Sequence, residues 1–210
     1  DKRLYANQKL LEHMCKNDSY SIPRLGSAKD VSAVTAQSAW KQYEKSLKTS
    51  RIELFYVGSA EHQTIAQLVM PLVENLERAY EPLPAQTGFQ SCQGGSFSES
   101  MAVSQGKLAL GFTTPITLRD PEFPAMQVFN TAFGGGMTGK LFAVIREKMS
   151  LCYDIGSSYS GSKGILTVSA GIDFDKEETV VQEVLHQLQL CQQEQISEQE
   201  LCNAKQALIS

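Results

Sequence analysis

Three groups of residues in this chain have types and spacings that could support chemistry. The first is the run from Phe133 to Phe142, FGGGMTGKLF, in which Gly134, Gly139 and Lys140 fit G-x-x-x-x-G-K. That is the pattern of a loop whose backbone amides cradle phosphates and whose next residue carries a hydroxyl for magnesium. Here that residue is Leu141. A phosphate loop must also follow a strand and open a helix, so that the helix N-terminus faces the anion. The second group is His13, His62 and His186. None has a second histidine three to five residues away, the spacing that zinc sites favour. His13 stands in His-Met-Cys-Lys, where a match to H-x-x-E-H fails at every later position. The third group is Cys15, Cys92, Cys152, Cys191 and Cys202, an odd number with no C-x-x-C among them. This usage points to free thiols in a reducing compartment, hence a cytoplasmic protein.

The elements around these residues decide how they are read. The chain has 210 residues, 42% hydrophobic and 20% charged, an ordinary globular composition with enough length to bury a core. Its net charge of −4 and the lack of a basic run or basic–aromatic stripe argue against nucleic-acid binding. No stretch approaches the ~20 apolar residues of a membrane-spanning helix. The chain opens at Asp1 and stops within a helical pattern at Ser210, and is expected to be a piece of a longer protein.

Apolar periodicity predicts helices over residues 2–15, 35–47 (with Thr35 as cap) and 63–78, and a strand over Ile52–Gly58. Glu81–Pro84 breaks the pattern and is the expected linker, with a new block from about Ser91. Lys107–Phe112 reads as a strand. From Pro121 a helix follows, with Ala125, Val128, Phe129, Ala132 and Phe133 on one face. Leu141, Val144, Ile145 and Met149 mark another helical face. Strands are expected over 153–158 and 164–171, and a helix over 176–192. A last helix opens with the capping box Ser197-Glu198-Gln199-Glu200. The three glycines therefore join helix to helix, which removes the context a phosphate loop needs. They are expected to reverse the chain through left-handed dihedrals and allow close helix packing, with Lys140 a solvated helix residue.

The same stretch resembles something else. Gly134-Gly135-Gly136-Met137-Thr138-Gly139-Lys140-Leu141-Phe142, then Arg146-Glu147-Lys148 and Leu151-Cys152-Tyr153, is similar to the second-domain signature of the inverzincin metallopeptidases. This is the insulinase, pitrilysin and mitochondrial processing peptidase family. Thr138-Gly139-Lys140 departs from that family's Ser-Ser-Arg; the Arg-Glu-Lys and Leu-x-Tyr parts match. Gly164-Ile165-Leu166, the helix from Lys176, and Ile196-Ser197 with Glu200-Leu201 and Ala204-Lys205 extend the resemblance downstream. Tyr20–Gly26 and Ile52–Gly58 extend it upstream, nearest to bacterial non-zinc members that pair with a zinc-bearing sister chain.

The resemblance implies an α+β fold, two-layer, with a mixed, mostly antiparallel sheet covered by helices. In that family one half holds zinc through H-x-x-E-H, and the other supplies an Arg and a Tyr seven positions apart. That is the separation of Arg146 and Tyr153. A phenol O–H aimed at the scissile carbonyl oxygen stabilises the charge that develops there, and a guanidinium holds the substrate backbone with a planar donor fork. On the residues alone, Arg146 reads better as part of a solvated helix face and Tyr153 as an ordinary strand aromatic; only the resemblance points to a site role. No cofactor is expected in this segment; zinc is expected on a partner domain or subunit, with a peptide as substrate. Residues 1–86 resemble the closing helices and strand of one family domain, and residues 87–210 the opening part of the next, non-zinc domain. The two are expected to pack together within one chain or by exchange between two copies, which allows a dimer. Alone, the segment is expected to be inactive. The alternative is a catalytically inactive interaction or structural subunit of the same fold.

Overall fold

The computed structural model describes residues 1–83, 94–193 and 196–209. Pro84, at the end of the expected linker, the expected block start near Ser91, and Cys92 lie outside them. In chain order the elements are α1 (Lys2–Met14), a 3-10 turn (Ser19–Ser21), α2 (Ala28–Ala33), α3 (Ala36–Thr49), α4 (His62–Glu74), β1 (Gly106–Thr113) and α5 (Phe123–Gly134). A π-helix (Phe142–Lys148), β2 (Cys152–Ser160), β3 (Ile165–Ile172), a 3-10 turn (Phe174–Lys176), α6 (Glu177–Gln193) and α7 (Glu198–Ile209) follow. Contacts divide the chain into Asp1–Arg24 with Thr87–Ser210, and Leu25–Gln86.

In the larger unit β3 is the middle strand and pairs antiparallel with β1 and β2. Side chains alternate across a strand, and β3 uses both faces. Leu166, Val168, Ala170 and Ile172 lie in one buried cluster with Phe133 of α5, Leu141 and Ile145 around the π-helix, and Val180 and Val184 of α6. The opposite parity meets α1: the Ser169 hydroxyl donates to Asn7 Oδ1 at 2.7 Å. Gly111, across from Thr167, lies under Met14, whose sulfur would be 2.6 Å from any Cβ placed there. The fold is thus α+β, an antiparallel sheet covered by helices. Periodicity marked the helices because each buries one stripe, and β3 reads as a nearly continuous apolar or small-residue run because it is buried on both faces.

In the smaller unit Thr35 and Ser38 form a reciprocal capping box at the start of α3, as the sequence predicts. The helix expected to run to Arg78 stops at Glu74. Arg78 instead turns back, and its guanidinium donates to the carbonyls of Leu47 and Ser50. It thereby satisfies acceptors that the C-terminus of α3 leaves open.

Ile52–Gly58, expected as a strand, forms no ladder. Its alternation is nevertheless expressed. Ile52, Leu54 and Tyr56 line a cavity of about 620 Å³ against His62, Ile65, Val69 and Val73 of α4. Phe55, 86% exposed, points elsewhere. A strand needs an edge to pair with, and the described residues of this unit offer none.

Candidate active-site face

The glycine run ends α5 and lets it settle on β2. A Cβ on Gly134 would stand 2.7 Å from Ser157 Oγ and 2.9 Å from the Ser157 backbone nitrogen. A Cβ on Gly139 would stand 2.9 Å from Gly134 Cα. The expected left-handed reversal does not occur. Among the described glycines only Gly26 and Gly164 have positive φ, and Gly135 has φ −73°. Gly134 and Gly139 are glycine because backbone meets backbone there.

Lys140, expected to be solvated, is also different. Its side chain is only 22% exposed and its Nζ lies 2.9 Å from Glu200 Oε1, tying this loop to α7. Burial raises the Glu200 carboxyl, but bonds from Lys140 and Ser197 outweigh it and hold the group below its ordinary value. A lysine committed to a carboxylate, in a turn between helices, is not arranged for phosphate.

Beyond the turn the chain winds as a π-helix. Wide turns of this kind are rare and occur frequently at functional sites. Leu141 and Ile145 are fully buried and fix its inner side. Arg146 is on the outer side, 43% exposed, paired with Glu147 and 5.1 Å over the Phe142 ring.

Two backbone devices then carry the chain from Arg146 to Tyr153. Ser150 adopts φ 52°, the only non-glycine residue with positive φ among those described. The Leu151 N–H donates to the Ile145 carbonyl at 3.0 Å and closes the turn. On entering β2 the register slips: Cys152 pairs with Ile172, and Asp154 pairs with Gly171. Tyr153 is therefore the extra residue of a β-bulge, a device that re-aims a side chain.

Tyr153 is 54% exposed, and its hydroxyl donates to Asp173 Oδ1 at 3.1 Å. This bond, then the Asp173 charge, then slight burial, raise its pKa, so the ring stays a neutral phenol. Cys152 beside it packs against the core. Burial, reinforced by Asp154 and opposed by Arg146, pushes its thiol up to about 11, which makes it a poor nucleophile.

Among the described residues no three His, Cys, Asp or Glu side chains gather in a way that could hold a metal ion. His13 stacks on Phe97 at 4.1 Å, His62 begins α4, and His186 is exposed on α6. The donor set for zinc is not among these described residues.

Sequence reasoning placed Arg146 and Tyr153 on the right elements and missed three features. Ser150 sits in Met-Ser-Leu, with no glycine to advertise a left-handed turn. A one-residue bulge leaves no trace in an alternating pattern this short. Asp173 reads as an ordinary strand-end residue, and only the register of β2 against β3 reveals its partner.

The family pattern described as "Peptidase M16 inactive domain" matches residues 33–208. The chain belongs to the peptidase M16 inactive-domain family. A relative named probable inactive metalloprotease YmfF, from Bacillus subtilis (strain 168), is 32% identical over 205 residues, covering 98% of this chain and 48% of that protein. An uncharacterized zinc protease of Rickettsia felis is 28% identical over 208 residues, covering 97% of this chain and 49% of its own length. The crystal structure of a conserved protein from Enterococcus faecalis V583 superposes with a TM-score of 0.85 at 29% identity, over 99% of this chain and 49% of that one. The chain spans about half the length of these relatives. No helix among the described residues is long and apolar enough to cross a membrane.

Proposed function

We propose that this chain is the non-zinc half of an insulinase-like zinc metallopeptidase and completes a peptide-hydrolysing site with Arg146 and Tyr153. A partner domain or subunit supplies the zinc and the general base. The observation that carries this reading is the pair itself. Two polar side chains, set either side of a strained left-handed residue, both reach solvent, one from a π-helix and one from a bulge. Backbone strain and irregularity of this kind cluster at functional sites.

Tyr153 donates its phenol hydrogen to the carbonyl oxygen of the scissile bond as that oxygen gains negative charge, which favours the transition state over the ground state. Arg146 holds the peptide backbone. The charge belongs to substrate and partner, so each half is inert alone.

In this reading residues 1–86 close one family domain and residues 87–210 open the next. Supporting it, Ile52, Leu54 and Tyr56 keep strand alternation without a ladder. Restoring the missing half of the parent should convert Ile52–Gly58 into a paired strand. Its amides should become slow to exchange with solvent deuterium, and unchanged rapid exchange in the complete parent would rule the assignment out.

The test of function uses the parent protein with its zinc-bearing half. Tyr153→Phe should cut cleavage of a mixed peptide pool by ~10²-fold or more, a loss reversed by neither substrate nor added zinc. Equal activity in the two proteins would remove Tyr153 from the reaction. A second reading, a catalytically inactive interaction subunit, is favoured by the name of the Bacillus relative, a probable inactive metalloprotease. No cleavage by either protein, with no bound zinc, would select that reading.

A further inference from the structure

We propose that Asp173 is a positioning residue that reserves the phenol hydrogen of Tyr153 until negative charge develops on a bound peptide. This rests on the reading of Tyr153 as a donor to substrate, and it concerns how that donor is controlled.

A phenol has one hydrogen to donate. Here it lies on the Asp173 carboxylate, 3.1 Å from the Tyr153 oxygen. The contact is built by the sheet. Cys152 and Ile172 face each other on one rung of the antiparallel ladder; Tyr153 follows Cys152 on one side of that rung and Asp173 follows Ile172 just past the end of β3 on the other, so the long phenol reaches diagonally across it. The bulge turns Tyr153 out of the ladder at that rung. Asp173 makes no side-chain cap on the 3-10 turn that follows it, so its carboxylate is free for the phenol. Both side chains are exposed, which leaves room for a peptide and for the ring to change partner.

An ionised carboxylate is a stronger acceptor than a neutral carbonyl. A peptide bound before reaction presents a neutral carbonyl oxygen, which cannot take the hydrogen from Asp173. An oxygen that has gained negative charge can. Tyr153 therefore changes partner as the barrier is climbed. Its bond to substrate is made at the transition state and not in ground-state binding, and it is made net of the carboxylate bond given up, so Asp173 sets when the hydrogen moves at a cost in kcat/KM. The neighbouring carboxylate also keeps Tyr153 protonated, so the hydrogen is present when it is needed.

The experiment compares Asp173→Ala, Asp173→Asn, Tyr153→Phe and the Asp173→Ala/Tyr153→Phe double variant in the parent protein with its zinc-bearing half. The readouts are kcat and KM on one peptide. Asp173→Ala frees the phenol to bond the ground-state carbonyl and removes the competitor at the transition state. KM should fall and kcat/KM should rise by about 3- to 10-fold, the scale of one exposed hydrogen bond. Asp173→Asn, whose amide oxygen accepts more weakly than a carboxylate, should lie between. Both effects should vanish in the Tyr153→Phe background. An unchanged or lower kcat/KM in Asp173→Ala, with Tyr153→Phe still losing ~10²-fold, would overturn this inference and leave the role of Tyr153 standing. No loss in Tyr153→Phe would overturn both. A second readout needs no turnover: the Tyr153 ring carbon bearing the hydroxyl, followed by NMR against pH, should titrate lower in Asp173→Ala. An unmoved titration would overturn the contact itself.

Discussion

Lys163 and Asp18 stand 145 residues apart in the chain and 2.6 Å apart in the fold. Lys163 is 3% exposed, in the turn between β2 and β3, beside Gly164 at φ 67°. Asp18 also accepts the Tyr20 N–H at 2.8 Å, and the Tyr20 hydroxyl lies 2.7 Å from Ser160 Oγ. The segment after α1 is thereby fastened to the far end of the hairpin that carries Tyr153.

This ion pair makes stability depend on pH in a defined direction. The Lys163 ammonium, then the Tyr20 N–H, hold the Asp18 carboxyl below its ordinary value in the folded chain. A depressed carboxylate contributes stability above its unfolded pKa, and the contribution is lost as pH falls through the folded one. Asp18→Asn leaves a buried ammonium uncompensated and should cost ~2 kcal/mol at neutral pH, less than for a fully buried pair because Asp18 is partly open to solvent. The gap should narrow as pH falls below the unfolded carboxylate's value of about 3.9, and the two proteins should converge only once the lower folded value is passed. Urea unfolding at pH 7 and pH 3 measures both gaps; an equal gap at the two values would show that the pair contributes nothing.

Gly134 and Gly136 lie two residues apart in the same glycine run and should respond oppositely to alanine. At Gly134 the new methyl meets the Ser157 hydroxyl and backbone nitrogen at 2.7 and 2.9 Å, and backbone cannot step aside cheaply. At Gly136 it meets nothing within 4 Å. Gly134→Ala should destabilise the chain by ~2–3 kcal/mol, the scale of overpacking. Gly136→Ala should lie within ~0.5 kcal/mol of the parent sequence. Thermal unfolding of the two variants side by side checks this, and equal losses would mean the run serves flexibility rather than contact.

These glycines also mark how much of the molecule the sequence revealed. The longer helices and the three strands of the sheet were legible, because an apolar stripe or face left its period in the residue types; the short α2 (Ala28–Ala33) was not. The glycine run was legible as a junction, but its cause was not. A left-handed turn and a close backbone approach both demand glycine, and only the neighbouring strand tells them apart. Lys140 looked solvated because its partner, Glu200, lies 60 residues on. Ile52–Gly58 shows the opposite failure: its alternation is real, and the ladder it should join is absent. At the site, Arg146 and Tyr153 were singled out by the family resemblance, while Ser150, the bulge and Asp173 came from backbone geometry and strand register, which no local pattern encodes.

Ser150 tests the turn between the two site residues. An L-residue in the left-handed region costs ~1–2 kcal/mol, and glycine escapes this, less its larger loss of freedom on folding. Ser150→Gly should stabilise the chain by up to ~1 kcal/mol, and Ser150→Val should destabilise it by a similar amount, because β-branching worsens the clash. Ser150→Asn should lie nearer glycine. Denaturation midpoints that ranked valine above serine would contradict the observed φ of 52°.

Arg146 separates a site role from a surface role most directly. Its guanidinium is paired with Glu147 and stacked over Phe142, contacts that an exposed arginine makes anywhere and that contribute little to stability. Arg146→Lys keeps the charge and loses the planar fork. If the fork holds the substrate backbone, kcat/KM of the parent protein with its zinc-bearing half should fall by ~10-fold or more while unfolding moves by less than ~0.5 kcal/mol. Because the interaction is made before and during the reaction, most of the loss should appear in KM. A substitution that left both KM and kcat unchanged would return Arg146 to the solvated face of its helix, and Tyr153 would then have to act without it.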